Sequence, residues 1–479
     1  MKVILDSLLR LQDVPDNILE IIKSDLTIKN PEYQRKKLMK LPFYTWGEEW
    51  IKLWSLKTVN DQATYILPRG YFARLRAISG GSFDLSDNRV KCGEILYPKR
   101  PVLRDYQLPA LKQAEDWQQG VIIMPCGSGK TEVGLAAAAY LHQPTLWLTH
   151  TMDLLNQSME RAHNRLGLSG NQIGVIQGKN FAIGTHMTFA TVQTLAKRDL
   201  SEIRNKFGCI IIDEAHMVFK DDKKARMFES VISQFPAFYR FGLTASEYRS
   251  DGLIDTMFHV IGPKIYEVSQ DDLNSAGNVM VPKVEFIETS FRYEPPEDED
   301  GEKEMLNVQQ MIKAMREDSA RDSVILNIFC HRIHPEDCCL VLGDSLEHLE
   351  YLCDFVSKQL GAVAAFVCGT TPKKERERIM SDMREGEYQY LFATYQLAKL
   401  GLDIPRLNKL ILATPKRDKT SIQQAVGRIM RPFEGKGTSV VYDVYDKGID
   451  QLRYWARDRV RVYKSLGCEV IGGPKIRKY

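Results

Sequence analysis

From about Arg104 to Gly262 short aliphatic and β-branched runs alternate with stretches of helical period. The runs are GVIIM, TLWLT, GVIQG, MTFATV, CIIIDEA and FGLTAS, and the intervening pattern predicts helices from Lys130 to Leu141 and from Met152 to Leu166. Strands apolar throughout, rather than at every second position, are buried on both faces, and alternation with helices implies a parallel sheet between helical layers. A second series starts near Cys338: CLVLG, a helix from His348 to Leu360, AAFVCG, a helix after Pro372, YLFAT, KLILAT, a helix around Gln424 and SVVYDV. The pattern predicts an α/β protein with two parallel-sheet lobes.

Between the two series lies VSQDDLNSAGNVMVP, whose Asn, Ser and Gly content marks a hinge at 266–282. It separates a first lobe at 98–265 from a second at 283–479. The acidic EPPEDEDGEKE that follows is expected to be a surface excursion. Residues 1–97, with turn signals at Asn30-Pro31, Gly80-Gly81 and Pro98, are expected to form a small α+β domain of their own. That segment is rich in aromatic residues, most of which its core accounts for. No repeat is evident beyond the two lobes.

At 479 residues, 44% hydrophobic and 27% charged, the composition is that of a globular protein. The chain has no uninterrupted apolar stretch of about 18 residues, and its N-terminal apolar run ends at Asp6. A membrane protein is therefore not expected, and the cytoplasm is the expected location. Nine cysteines lie scattered without CxxC spacing, which argues against a disulfide framework. Cys330-His331-x-x-His334 ahead of Cys338-Cys339 invites a zinc reading, but adjacent cysteines on a strand point to opposite faces. The net charge of +3 hides a division. Residues 1–100 hold 17 Lys+Arg against 12 Asp+Glu, residues 451–479 hold 8 against 2, and the middle carries −8. Basic ends on an acidic core suit terminal phosphate contacts, with Lys36, Lys37 and Lys40 as candidates; solvated faces are the simpler alternative.

Three motifs carry chemistry. Pro125-Cys126-Gly127-Ser128-Gly129-Lys130-Thr131 follows a strand and opens a helix, the setting in which backbone N–H groups and a helix N-terminus cradle phosphate. Lys130 would reach the β- and γ-phosphates and Thr131 a Mg²⁺; Met124 stands where the general pattern has its first glycine. Asp213-Glu214-Ala215-His216 follows a buried strand, placing Asp213 to hold the metal and Glu214 to orient or deprotonate water. Gln424-x-x-Gly427-Arg428-x-x-Arg431 sets two arginines on one helix face, suited to phosphate charge. A phosphate loop, a metal acid and arginine fingers together describe an ATPase.

Leu103-Arg104-Asp105-Tyr106-Gln107, MPCGSGKT, DEAH, Leu243-Thr244-Ala245-Ser246, Ala393-Thr394 through Gly401-Leu402-Asp403, and QAVGRIMR resemble the ordered motif series of superfamily 2 helicases. The resemblance spans roughly residues 100–445 and implies two RecA-like lobes that use ATP and Mg²⁺. Carried over by position, Gln107 with Arg104 would serve the adenine end of the nucleotide site. His216, Thr244 and Ser246 would couple hydrolysis to movement, and Gly401 and Asp403 would line the nucleotide cleft. The LRDYQ form, the bulky residue before the phosphate loop and the DEAH acids resemble the XPB-like branch. LTIKNPEY and Leu67-Pro68-Arg69-Gly70-Tyr71 are similar to the N-terminal domain of phage UvsW-type helicases. This implies a 3′–5′ DNA motor on forks, D-loops, R-loops or four-way junctions, and a host-cell cytoplasm if the source is a phage.

The same resemblance would run a strand past Thr149, His150, Gln193, Thr194, Gly343, Asp344 and Thr394. Hydroxyls and N–H groups at helix starts suit sugar–phosphate contact, though each alone is equally a cap. DNA is the expected partner, single-stranded, duplex or branched, with an RNA–DNA hybrid also open. A double-strand translocase serving a nuclease or modification complex, an ATP-gated clamp and an RNA helicase remain alternatives.

Overall fold

The structure is a computed structural model. It describes every residue except 60, 126, 219–221, 246–253, 276, 278, 296–306, 400–401, 403 and 476–479, and the side chains of 217–218, 222–226, 373 and 399. One compact unit comprises Met1–Pro125 and Gly129–Val268, and the second comprises Cys126–Ser128 and Ser269–Tyr479.

The first unit opens with a five-stranded sheet of β1 (Lys2–Leu5), β2 (Leu8–Gln12), β3 (Ser55–Val59), β4 (Gln62–Pro68) and β5 (Asp84–Asp87), in the order β3-β4-β2-β1-β5. Burial alternates along β1 and β2, so Val3, Leu5, Leu9 and Leu11 face a core closed by Ile22 of α1 (Asp16–Asp25) and Leu75 of α3 (Phe72–Ile78). Between α1 and β3 the chain throws out α2 (Pro31–Leu38), capped by Asn30 Oδ1, which accepts from Glu32 N at 3.0 Å.

The main sheet of this unit has eight strands. Its central members are β6 (Gln119–Ile123), β7 (Thr145–Thr149), β9 (Met187–Thr191), β10 (Cys209–Ile212) and β11 (Tyr239–Thr244), all buried along their length. With β8 (Ile173–Gln177) and β12 (Lys264–Glu267) the order is β8-β9-β7-β10-β11-β6-β12, every pair parallel. The two-residue strand Asn180–Phe181 adds antiparallel to β8 at the edge. Helices α4 (Leu108–Trp117), α5 (Lys130–Tyr140), α6 (Met152–Leu166) and α7 (Ile254–Ile261) pack with it. β12 takes in the first residues assigned to the hinge, and Gln270–Ser275 inside that hinge is helical.

The five-stranded sheet is fastened to the main one. Arg69, fully buried after β4, donates to Gln119 Oε1 at 2.6 Å, Ala237 O at 2.5 Å, Phe238 O at 2.8 Å and Asp6 O at 3.4 Å. Arg240 of β11, also buried, donates to Ser7 O at 3.2 Å and to the carbonyls of Ile232, Phe235 and Val260. Next to Arg69, Gly70 lies so close to α7 that a Cβ would stand 2.5 Å from His259 O and 2.6 Å from both Phe258 O and Gly262 N. Only glycine permits that approach. Val90 bridges in parallel to Ala237 and completes the join.

The second unit holds a seven-stranded, all-parallel sheet. Its strands are β13 (Lys283–Glu288), β14 (Cys339–Gly343), β15 (Ala364–Val367), β16 (Tyr390–Thr394), β17 (Lys409–Leu412), β18 (Val440–Tyr445) and β19 (Glu469–Ile471), ordered β15-β16-β14-β17-β18-β13-β19. Its main helices are α8 (Ser319–Arg332), α9 (Leu346–Gln359), α10 (Lys373–Glu385), α11 (Lys419–Ile429) and α12 (Asp450–Ser465). Buried ion pairs stitch α8 and α12 to β18 and the residue after it: Arg321 to Asp446 at 2.8 Å, and Arg459 to Asp443 through two 2.7 Å hydrogen bonds. Among the described residues, no helix is long and apolar enough to cross a membrane.

Candidate functional site

β6 ends at Ile123, and Met124 N donates to Thr244 O at 2.9 Å, tying the start of the phosphate loop to the end of β11. Gly127 and Gly129 have φ of +84° and +82°, in the left-handed region that an L side chain rarely adopts. A Cβ at Gly129 would also meet Gln107 Nε2 at 2.5 Å. α5 begins at Lys130, so the first N–H groups of the helix and its dipole face the loop. Cys126 lies outside the described residues; Pro125, Ser128 and Thr131 complete the segment.

Two strands away, β10 delivers the acids. Asp213 N donates to Leu148 O at 2.9 Å and Glu214 N to Asp213 Oδ1 at 3.0 Å, while Glu214 sits at φ +50°. A non-glycine residue in that region costs energy, and such positions cluster at functional sites. Glu214 Oε1 stands 3.6 Å from Lys130 Nζ, and Glu214 Oε2 stands 3.4 Å from His216 Nδ1. His216 Nδ1 also lies 3.0 Å from Thr244 Oγ1, so phosphate loop, acids and the end of β11 form one polar chain. Burial, with the adjacent Glu214 charge, pushes the Asp213 carboxyl up to about 6, against the pull of Lys130 and Arg161. A buried acid held upward by desolvation awaits a cation, and the loop, lysine and acid fit a nucleotide with Mg²⁺.

Gln107 is buried, and its Oε1 accepts from Arg104 N at 2.9 Å, closing the turn Asp105–Gln107. The Tyr266 hydroxyl of β12 donates to Tyr106 O and steadies that turn from the sheet edge. Sequence reading missed Tyr266, because a tyrosine on a short edge strand carries no motif. Ser246, Gly401 and Asp403 lie outside the described residues.

The candidate strand contacts fall at strand ends. Thr149 is buried and its Oγ1 donates to Thr151 O at 3.0 Å; Gln193 Nε2 donates to His150 O at 3.1 Å, and the Thr191 and Thr194 hydroxyls lie 2.8 Å apart. The structure thus brings Thr149, His150, Gln193 and Thr194 together beyond β7 and β9. In the second unit Gly343 ends β14, Asp344 N donates to Thr414 Oγ1 at 3.3 Å and Thr394 Oγ1 accepts from Leu397 N at 3.4 Å. Lys416 Nζ bonds both oxygens of Asp344 at 2.8 Å, which offsets an anion otherwise hostile to phosphate. Lys416 had no motif to announce it. Lys37 of α2 and Lys40 just beyond it are exposed, whereas Lys36 Nζ donates to Thr45 O at 2.8 Å and lies 3.0 Å from Glu32.

Gln424 and Arg428 lie on α11, and Arg431 lies just beyond its end. Arg428 donates to Leu402 O at 3.1 Å and to Ala398 O at 3.3 Å.

Residues 100–249 match the family model for the res subunit of type III restriction enzymes, and residues 321–432 match that of the helicase conserved C-terminal domain. A DNA 3′-5′ helicase XPB of Mycobacterium tuberculosis is 29% identical over 377 residues, 76% of this chain and 64% of that one. This chain carries the two domains of a superfamily 2 helicase and is similar to the XPB branch. The helicase is also 27% identical over 467 residues to L396 of Acanthamoeba polyphaga mimivirus, provisionally named an ATP-dependent RNA helicase, covering 94% of this chain and 82% of that one. Among solved structures, Saccharomyces cerevisiae Dbp5 bound to RNA and ADP-BeF3 aligns at TM-score 0.55 and 16% identity, over 77% of the helicase and 90% of Dbp5, which shows the shared fold. The T4 UvsW crystal structure aligns over 98% of the helicase and 99% of its own chain at 16% identity and TM-score 0.42. The helicase is an ATP-driven enzyme of two helicase domains.

Proposed function

We propose that this helicase is a DNA motor that uses ATP and Mg²⁺ to remodel branched DNA, such as forks, D-loops, R-loops and four-way junctions, with 3′–5′ polarity. The observation that carries the motor reading is the polar chain Lys130–Glu214–His216–Thr244, which joins the phosphate loop to the ends of two neighbouring strands. Lys130 and the N-terminus of α5 take the β- and γ-phosphates; Thr131 and Asp213 hold Mg²⁺, which when bound neutralises phosphate charge. Once phosphate claims Lys130, Glu214 is released to orient or deprotonate water. His216 carries that change to Thr244 and Ser246. Gln107 and Arg104 serve the adenine end, and Arg428, on the helix of Gln424, and Arg431, just beyond its end, neutralise transition-state charge.

DNA is favoured over RNA because the XPB relatives are named DNA 3′-5′ helicases and translocases. The RNA reading draws on L396 alone among these relatives. ATPase and strand-displacement assays over single-stranded, duplex, forked and four-way DNA, and over an RNA–DNA hybrid, decide between them. Greatest stimulation and unwinding on forks and four-way junctions are expected. Equal turnover on plain duplex without strand separation would instead identify a double-strand translocase.

A further inference from the structure

α11 ends at Ile429, and the carbonyls of its last turn and of the following residues need partners. Lys436, seven residues on and half-buried, supplies them: its Nζ donates to Ile429 O at 2.8 Å, Arg431 O at 2.7 Å and Pro405 O at 3.4 Å. Three acceptors use the full donor capacity of an ammonium. Ser439 Oγ adds a 2.8 Å bond to Ile429 O. Ala398 and Leu402 are thus tied to α11 through Arg428, and Pro405 is tied to its end through Lys436.

The two ties differ in what they can do during turnover. Arg428, as a phosphate ligand, must give up the carbonyls of Ala398 and Leu402. Lys436 holds backbone alone and keeps its grip. We propose that Lys436 is a positioning residue of the ATPase, whose ammonium holds the carbonyls of Ile429, Arg431 and Pro405 together. Arg431 and Pro405 thereby keep one geometry while Arg428 exchanges carbonyls for phosphate. The inference rests on the roles given to Arg428 and Arg431 above.

A helix cap that served stability alone would behave differently, and charge is the lever that separates the two. Burial first, and then the Arg431 charge, push the Lys436 ammonium down to about 8. The other group facing it is the Cys338 thiol, pushed up to about 12 by burial and so neutral at working pH. Arg406 and Asp337 stand beside that thiol, and Asp337 is taken by Lys409 at 3.2 Å and Asn408 Nδ2 at 2.6 Å. Above about pH 8 a neutral amine has too few protons for three carbonyls.

The test is steady-state ATPase of the full chain with saturating single-stranded DNA from pH 6.5 to 9.5, for wild type, Lys436→Met and Lys436→Arg. At pH 7.5 Lys436→Met is expected to lose at least about tenfold in kcat with KM for ATP nearly unchanged. Lys436→Arg, charged throughout, should keep most of kcat and carry the alkaline fall of wild type upward by about a pH unit or more. A Met variant within about twofold of wild-type kcat overturns the proposal. So does an Arg variant with the wild-type alkaline limb, and that comparison decides the matter alone if the Met variant fails to fold. Wild type without any DNA-stimulated turnover would overturn the function proposed above and this tie with it; an active wild type matched by Lys436→Met overturns only the tie.

Discussion

Replacing Arg69 by Met tests whether the N-terminal sheet and the first lobe are one structural body. The guanidinium fills a fully buried site and satisfies Gln119 Oε1, Ala237 O and Phe238 O at 2.5–2.8 Å. Methionine restores most of the volume and none of the donors. Each buried acceptor left without a partner costs about 1–3 kcal/mol. Against this, a cation is removed whose proton affinity is pushed well below the usual arginine range by burial and then by Arg240 and Arg89. Relief of that desolvation offsets part of the loss, though the acceptors stay behind, so the change resembles truncation of one partner more than an apolar replacement of both. The net expectation is a loss of about 2–4 kcal/mol, read as a lower midpoint for the first transition in urea. Lys, with the charge but no fork, should fall between Met and wild type. A loss under about 1 kcal/mol for Arg69→Met would show that the carbonyls find other donors, and the fastening argument would fail.

Glu214→Gln should abolish ATP hydrolysis while preserving nucleotide binding, measured by turnover beside equilibrium binding of a fluorescent ATP analogue; wild-type turnover would remove Glu214 from its role. Asp213→Asn should stabilise the nucleotide-free protein near pH 7, because a folded-state pKa of about 6 against 3.8 means that the native carboxylate is penalised once ionised. The folded state binds more protons than the unfolded chain between those values, so stability falls as pH rises through the window. The Asn gain should accordingly be full above about pH 6 and vanish below about pH 4; a gain independent of pH refutes the cause. Replacing exposed Lys37 and Lys40 by Gln should flatten the dependence of log affinity on log salt for forked DNA by up to about 0.9 per contact, and an unchanged slope denies them phosphates.

The phosphate loop, Asp213 with Glu214 and the pair Arg428 and Arg431 were legible in the sequence because their chemistry demands fixed residue types at fixed spacing, although the helix expected to carry both arginines ends before Arg431. The buried strands were legible because a strand covered on both faces reads as an unbroken apolar run. Tertiary context hid other features. β12 buries Ile265 while Lys264 and Glu267 stay exposed, so its four residues read like the polar hinge beyond them. Aromatic residues of the N-terminal segment read alike, yet Tyr71 is buried whereas Phe43 and Tyr44 are among the most exposed large side chains. Lys36, one of three similar lysines in sequence, bonds the backbone at Thr45 while Lys37 and Lys40 face solvent.

The features that escaped sequence reading share a physical reason. Arg69, Arg240 and Lys436 all donate to backbone carbonyls, and a carbonyl is the same whichever residue bears it. Only the cation is then specified by sequence, and a lone cation in a chain with 65 Lys+Arg looks like solvated surface until the fold brings the carbonyls to it. The same property decides how the N-terminal domain should be tested. Deleting residues 1 to about 95, a boundary good to a few residues, strips Arg240 of Ser7 O, Ala237 and Phe238 of Arg69, and α7 of its contact with Gly70. Such a deletion lowers lobe stability and any DNA grip together. Substitution of Lys37, on a helix with no buried residue, and of exposed Lys40 just beyond it leaves the junction whole and isolates the grip.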